Sequence, residues 1–144
     1  MAKITIDAFY RITATALPMA ARMGFAVDNI GDGSVRVRMR HNDDWVRPGG
    51  TVAGPALMAL ADYAMYAAVM GALGPTPLAV TSNLNINFLR KPAPVDVIAN
   101  CQALRIGRRQ AVFEITLHSD GEPNPIAHVT GTYALPGLAR AEGA

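Results

Sequence analysis

The sequence holds a single cysteine, Cys101, among its 144 residues. With no second thiol, an intramolecular disulfide is excluded, and so are a CxxC redox pair and the thiolate-rich zinc sites. Packed into a strand or the core, Cys101 is an inert small residue rather than a nucleophile. A reducing compartment, the cytoplasm, is the expected location. Histidine is nearly as sparse. His41 sits beside Asn42 and Asp43 in a polar stretch, and His118 and His128 fall in late extended segments with no partner at metal-ligand spacing. No metal and no redox cofactor is expected. A GxSxG nucleophile elbow and a phosphate-cradling P-loop are missing too. The N-terminal MAKITIDAFYRIT lacks a continuous apolar leader segment, and no run is expected to approach the roughly 18 apolar residues that cross a bilayer. Neither a leader nor a membrane partner is anticipated.

Charge is also low, with 13 basic and 11 acidic residues and a net charge of +2. The excess is mostly arginine, spread over 22–47 and 90–109 rather than gathered in a block. That pattern is too diffuse for a nucleic-acid partner but suits a small phosphorylated ligand. Apolar residues make up 51% of the chain, enough for one domain with a real core. No repeat or linker divides it, so residues 1–136 read as one domain and 137–144 as a frayed tail.

Along the chain, Phe9, Ile12 and Ala16 recur at helical spacing behind Thr5 and Asp7, and Pro18 ends the run. FAVDNI and SVRVRMR alternate on either side of Gly31-Asp32-Gly33, a hairpin pattern that turns Val35, Val37 and Met39 one way and Arg36, Arg38 and Arg40 the other. Gly54 and Pro55 then open a helix that runs to about Gly71, with Pro55 at the first helical position where its missing N–H costs nothing. This helix is apolar on nearly every face, as an enclosed helix must be. Extended segments follow at 78–89, 95–105, 109–118 and 125–135, separated by Lys91-Pro92 with Pro94, by Ile106-Gly107 and by Asp120-Gly121. The order predicts an α+β fold in which an antiparallel sheet wraps one main helix.

One residue breaks the apolar helix. Asp62 has Met58, Ala59, Met65 and Tyr66 three and four positions away, so no lysine or arginine on the same helix can neutralise it. An uncompensated buried carboxylate is costly. Three explanations follow: it faces a ligand cleft, it pairs with a residue of another element, or it points to solvent.

GTVAGPALMALAD (50–62), VTSNLNINFLRKP (80–92), LRIGRR (104–109) and HVTGTY (128–133), in this order and spacing, resemble the hotdog-fold acyl-CoA thioesterases of the phenylacetate-pathway, PaaI-like group. The resemblance implies a hotdog fold, two subunits joined edge to edge as a dimer or a dimer of dimers, and an active site at each dimer interface. It implies an acyl-CoA substrate, with coenzyme A as part of that substrate and not a cofactor. It also places Asp62 as the carboxylate that activates water or attacks the thioester, Gly54 as the backbone N–H that polarises the carbonyl, and Thr81 as the hydroxyl that holds the attacking water. A helix N-terminus suits the second role, because its unpaired N–H groups and positive dipole end meet the oxygen that gains charge.

The sequence departs from the family pattern at one loop. An asparagine and a His-Gly-Gly are usual there, whereas Arg47, Ala53, Gly54 and Pro55 stand in their places. Arg47 then meets either the thioester carbonyl, the phosphates of coenzyme A or a structural carboxylate. The expected binding set further includes Ala53, Tyr63, Tyr66 and Asn83, with Arg90, Lys91, Arg108 and Arg109 as a basic end of the strand region for the nucleotide phosphates. Met58, Tyr63, Tyr66 and Phe88 are expected to set the acyl pocket, for an aryl or medium-chain group. Loss of the loop histidine opens an alternative, a non-catalytic protein that binds acyl thioesters. A hotdog dehydratase or hydratase would want a histidine beside the acid, and none is placed for it.

Overall fold

The computed structural model describes residues 1–135, so the tail expected at 137–144 lies outside the described residues. Helix α1 (Ile6–Ala16) opens where Thr5 accepts a hydrogen bond from the Ala8 N–H at 3.1 Å, and its apolar stripe lays Phe9 into the core. The single turn α2 (Met19–Arg22) follows Pro18. Strands β1 (Phe25–Ile30) and β2 (Ser34–Met39) form the expected hairpin, with Gly33 at the positive φ of 79° that its turn needs. Alternation along β2 buries Val35, Val37 and Met39.

Between β2 and the long helix the chain makes a small element that the hydrophobic pattern does not foreshadow. A 3-10 turn at Asp43–Trp45 leads into two-residue strands β3 (Val46–Arg47) and β4 (Thr51–Val52), closed by the turn 47–50. These strands are too short to carry a period, so only their turn glycines mark them.

Helix α3 (Gly54–Leu73) is the centre of the molecule, and every residue from Tyr63 to Ala72 is buried. By length and composition it would suffice to cross a membrane, which corrects the expectation that no stretch reaches that length. Its apolar faces are instead enclosed by the protein's own sheet, the same composition serving either setting because both replace water by apolar neighbours.

Strands β5 (Val80–Phe88), β6 (Val97–Ile106), β7 (Gln110–Ser119) and β8 (Ala127–Ala134) complete the sheet close to the bounds expected of them. Among the described residues six strands form one antiparallel sheet in the order β1-β2-β6-β7-β8-β5. Two glycines show how tightly it wraps α3. A Cβ on Gly71 would stand 2.2 Å from the Gly31 carbonyl oxygen, and one on Gly131 would stand 2.5 Å from Met65 Sδ. At Gly71, where the neighbour is backbone, the approach admits no side chain; at Gly131 the end of Met65 would have to move aside. The architecture is the α+β arrangement that the element order predicts. β5 is an edge strand with most of its side chains exposed, the feature that natural sheets cover by pairing.

Candidate active site

Asp62 lies on the face of α3 that meets β5 and β8. Thr81 on β5 and Tyr133 on β8 are register partners, so their side chains stand side by side on one face of the sheet. Both hydroxyls converge on one oxygen of Asp62. Thr81 Oγ1 donates to Asp62 Oδ1, and the Tyr133 hydroxyl lies 3.0 Å from the same Oδ1 and 3.2 Å from the Asp62 carbonyl oxygen. The other oxygen, Oδ2, has no hydrogen-bond partner among the described residues, and no lysine or arginine among them pairs with the acid. Neutral donors from two strands, rather than a distant arginine, therefore compensate the carboxylate. Such donors offset the cost of burying a charge without cancelling it.

A bulge makes this convergence possible. The β5–β8 register slips between Thr81 and Asn83, leaving Ser82 as an extra residue. Leu84 and Ile86 pack on the core, and uninterrupted alternation from them would send Ser82 inward and Thr81 outward. The extra residue reverses that phase, so Thr81 faces the helix. It also corrects the expectation for Asn83. Opposite Thr132, Asn83 belongs to the face of β5 turned away from α3 and Asp62.

Tyr133, only 4% exposed, is a residue that the sequence reading missed as part of the site. Burial first, and then the charge of Asp62, push its phenol far above its ordinary value, so it remains a protonated donor. The two tyrosines expected to bind substrate do less. Tyr63 is 2% exposed between Phe9 and Phe25, its phenol pushed up to about 12 by burial, and it is a core residue under α1. Tyr66 commits its hydroxyl to the Pro77 carbonyl at 2.9 Å and sets its ring against Tyr133, centroids 6.1 Å apart. It backs the site without lining it.

Two turns before the acid, the start of α3 is chemically bare. Ala53, the N-cap, offers no side-chain bond, and its carbonyl receives both the Ala56 and Leu57 N–H groups. Pro55 has no N–H. That leaves Gly54 as the first-turn residue whose N–H has no acceptor among the described residues. Phe88 lies over Gly54, where a Cβ would come within 3.2 Å of its ring. Phe88 and Met58 are 55% and 40% exposed, so of the four residues expected to set the acyl pocket these two present apolar surface.

The basic residues do not form one end of the strand region. Arg90 and Lys91 follow β5 and, with Gly49 and Gly50 of the 47–50 turn, line a cleft of about 470 Å³. Arg90 also donates to the Pro125 carbonyl at 2.9 Å. Arg108 and Arg109 occupy the β6–β7 turn beside Leu135, at the end where β5 begins. Antiparallel β5 holds the two sets about 25 Å apart, eight residues at roughly 3.3 Å each. Arg47 is exposed and makes no ion pair with a described residue, which leaves the structural-carboxylate role unsupported. Two of the three histidines are engaged elsewhere, His41 with Asp43 at 3.4 Å and His128 with Glu114 at 2.8 Å. Burial pushes the Cys101 thiol up, away from the reactive thiolate. Among the described residues no group of three or more histidine, cysteine or acidic side chains could hold a metal ion.

Residues 49–126, which contain Gly54, Asp62 and Thr81, match the Thioesterase superfamily. A candidate esterase of Halobacterium salinarum is 33% identical over 124 residues, covering 78% of this chain and 81% of its own. A candidate thioesterase of a Silicibacter species, known as a crystal structure, is 35% identical with a TM-score of 0.84 and 93% of each chain covered. A variant of the phenylacetic acid degradation protein PaaI of Thermus thermophilus is 27% identical with a TM-score of 0.71, over 81% of this chain and 97% of that one. The long helix in its antiparallel wrap, the acid two turns along it and these likenesses together make the chain a hotdog-fold member of the thioesterase superfamily, akin to PaaI.

Proposed function

We propose that the protein hydrolyses acyl-CoA thioesters, with Asp62 as general base or nucleophile. The observation that carries this reading is the asymmetry of the carboxylate: two hydroxyls hold Oδ1, and Oδ2 is left without a partner or a cation. Acting as base, Oδ2 takes a proton from water while the water oxygen bonds to the acyl carbon. The oxyanion then collapses, the C–S bond breaks, and the thiolate recovers the proton to leave carboxylic acid and coenzyme A. Acting as nucleophile, Asp62 displaces the thiolate to form a mixed anhydride that water cleaves.

Either route wants an N–H donor about 3 Å from the carbonyl oxygen. The Gly54 N–H of the same subunit stands eight residues away, roughly 12 Å along the helix axis, too far to serve the same carbonyl. Pairing β5 antiparallel with the β5 of a second copy would remove this separation. Phe88 marks the helix start at one end of β5 and Thr81 marks the acid at the other, so an antiparallel pair sets one subunit's acid beside the other's helix start. The same pairing would carry Arg47, Arg90 and Lys91 of one subunit toward Arg108 and Arg109 of the other, where the nucleotide phosphates need cations. The protein is accordingly a dimer or a dimer of dimers in this reading, and exposed Met58 and Phe88 suit an aryl or medium-chain acyl group.

Thiol release across a panel of aryl and fatty acyl-CoAs, with Asp62→Asn alongside, tests the proposal. Hydrolysis that depends on Asp62 is the expected result. Binding without hydrolysis across the panel would overturn it in favour of a non-catalytic acyl-thioester-binding protein, the alternative that the bare helix start at Ala53 makes specific.

A further inference from the structure

We propose that Tyr133 is a positioning residue for this hydrolysis: together with Thr81 it locks Asp62 Oδ1, so that Oδ2 alone is presented to the reacting group. The inference rests on the role proposed for Asp62 and adds to it a residue outside the matched span 49–126.

The terminal torsion of an aspartate is broad and roughly two-fold, so a carboxylate held by one donor can turn and exchange its oxygens. Asp62 is held differently. Thr81 approaches Oδ1 from β5 and Tyr133 from β8, and the shared oxygen fixes the carboxylate plane between two strands that are themselves hydrogen-bonded. A phenol carries one proton, and between the carbonyl oxygen at 3.2 Å and Oδ1 at 3.0 Å the charged oxygen is the stronger acceptor. Tyr133 has little freedom to leave. Its ring is buried and backed by Tyr66, which is itself tied to Pro77. The polar and titratable groups facing the acid are thus Thr81 from β5, Tyr133 from β8 and, behind Tyr133, Tyr66 of α3 itself. Among the described residues no cation or second carboxylate pairs with it.

One consequence separates positioning from mere packing. Because Tyr133 touches the acid, its hydroxyl governs kcat and leaves KM alone.

Tyr133→Phe keeps the ring and removes the donor. The expected result is a kcat about 10- to 100-fold lower at unchanged KM, the cost of a loosened catalytic group. Replacing Tyr133 by 3-fluorotyrosine, which keeps the hydroxyl and strengthens it as a donor, should hold kcat close to wild type; it also guards against a Phe variant that fails to fold. Carboxyl-carbon NMR of Asp62, assigned by its loss in Asp62→Asn, reports the lost bond as a changed chemical shift in the Phe variant whether or not any thioester is turned over. A protein without thioesterase activity would therefore sink the proposed function while this contact is still tested. If Tyr133→Phe leaves the Asp62 carboxyl signal where it stands in the wild type, the inference is overturned.

Discussion

The middle of α3 and its start are built from opposite materials. Around the acid in mid-helix, three elements each contribute a side chain, and Asp62, Thr81 and Tyr133 meet within a single subunit. At the helix start there is backbone and little else: an alanine cap with no side-chain bond, a proline without an N–H, and one unpartnered amide at Gly54 beneath the Phe88 ring. Cations gather near the helix start, Arg47, Arg90 and Lys91 among them. Thioester hydrolysis needs a base and an oxyanion donor at one carbonyl, and one subunit keeps them about 12 Å apart. In the proposed reading the contrast makes each subunit the holder of two half-sites, with the bare β5 edge as the element that would join them.

Breaking the acid should have the largest effect. Asp62→Asn retains an oxygen that can accept from Thr81 and Tyr133 but removes the base, so hydrolysis should fall by roughly 10²–10⁴-fold. Melting should hold or rise, since an acid placed for function is commonly a folding liability. Acyl-CoA kinetics and denaturation curves on the same preparation check both, and full activity would end the assignment.

Breaking the helix start should cost somewhat less. Gly54→Pro deletes the amide hydrogen, and the extended Ala53 before it, with ψ 140°, tolerates a following proline; Gly54→Ala, which adds the same Cβ against the exposed Phe88 ring and before Pro55 but keeps the amide, is the control. Loss of one oxyanion donor predicts a kcat about 10²–10³-fold lower, with KM little changed. A normal kcat would move the oxyanion contact elsewhere.

The smallest effect sharpens the comparison by charge. Arg47 is exposed and makes no ion pair with a described residue, so Arg47→Ala should leave melting unchanged. If it meets the phosphates or the carbonyl, KM should rise about 3- to 10-fold, as expected for a solvent-screened charge. A drop in melting temperature with normal kinetics would make Arg47 structural after all.

The fold could be read almost entirely from the sequence, because α3 is apolar on all faces and the late strands are punctuated by proline and glycine. The same uniformity hid the site's surroundings. On a helix that is apolar all round, nothing in the pattern tells which of Tyr63 and Tyr66 faces which neighbour, and both turned out to be packed. Tyr133 sits at an inward position of an alternating strand, where a tyrosine reads as core until its register partner Thr81 is known. The Ser82 bulge, which sets that register and turns Asn83 away, leaves no mark in composition. Arg90 and Arg109 stand in neighbouring motifs, yet antiparallel strands carry them to opposite ends of the sheet. Asp62 itself was legible as an anomaly, a lone charge in an apolar helix, and that is a property of sequence alone.

Mixing two disabled subunits tests the account most directly. If each site takes Asp62 from one subunit and Gly54 from the other, then a heterodimer of Asp62→Asn and Gly54→Pro carries one intact site and one doubly broken site. After equimolar subunit exchange, half of the dimers are mixed and half of their sites are whole, so activity should recover to about a quarter of wild type. Recovery to that level from two nearly inactive parents is the predicted result. Activity that stays at the parents' level, with exchange verified, would contradict the shared site.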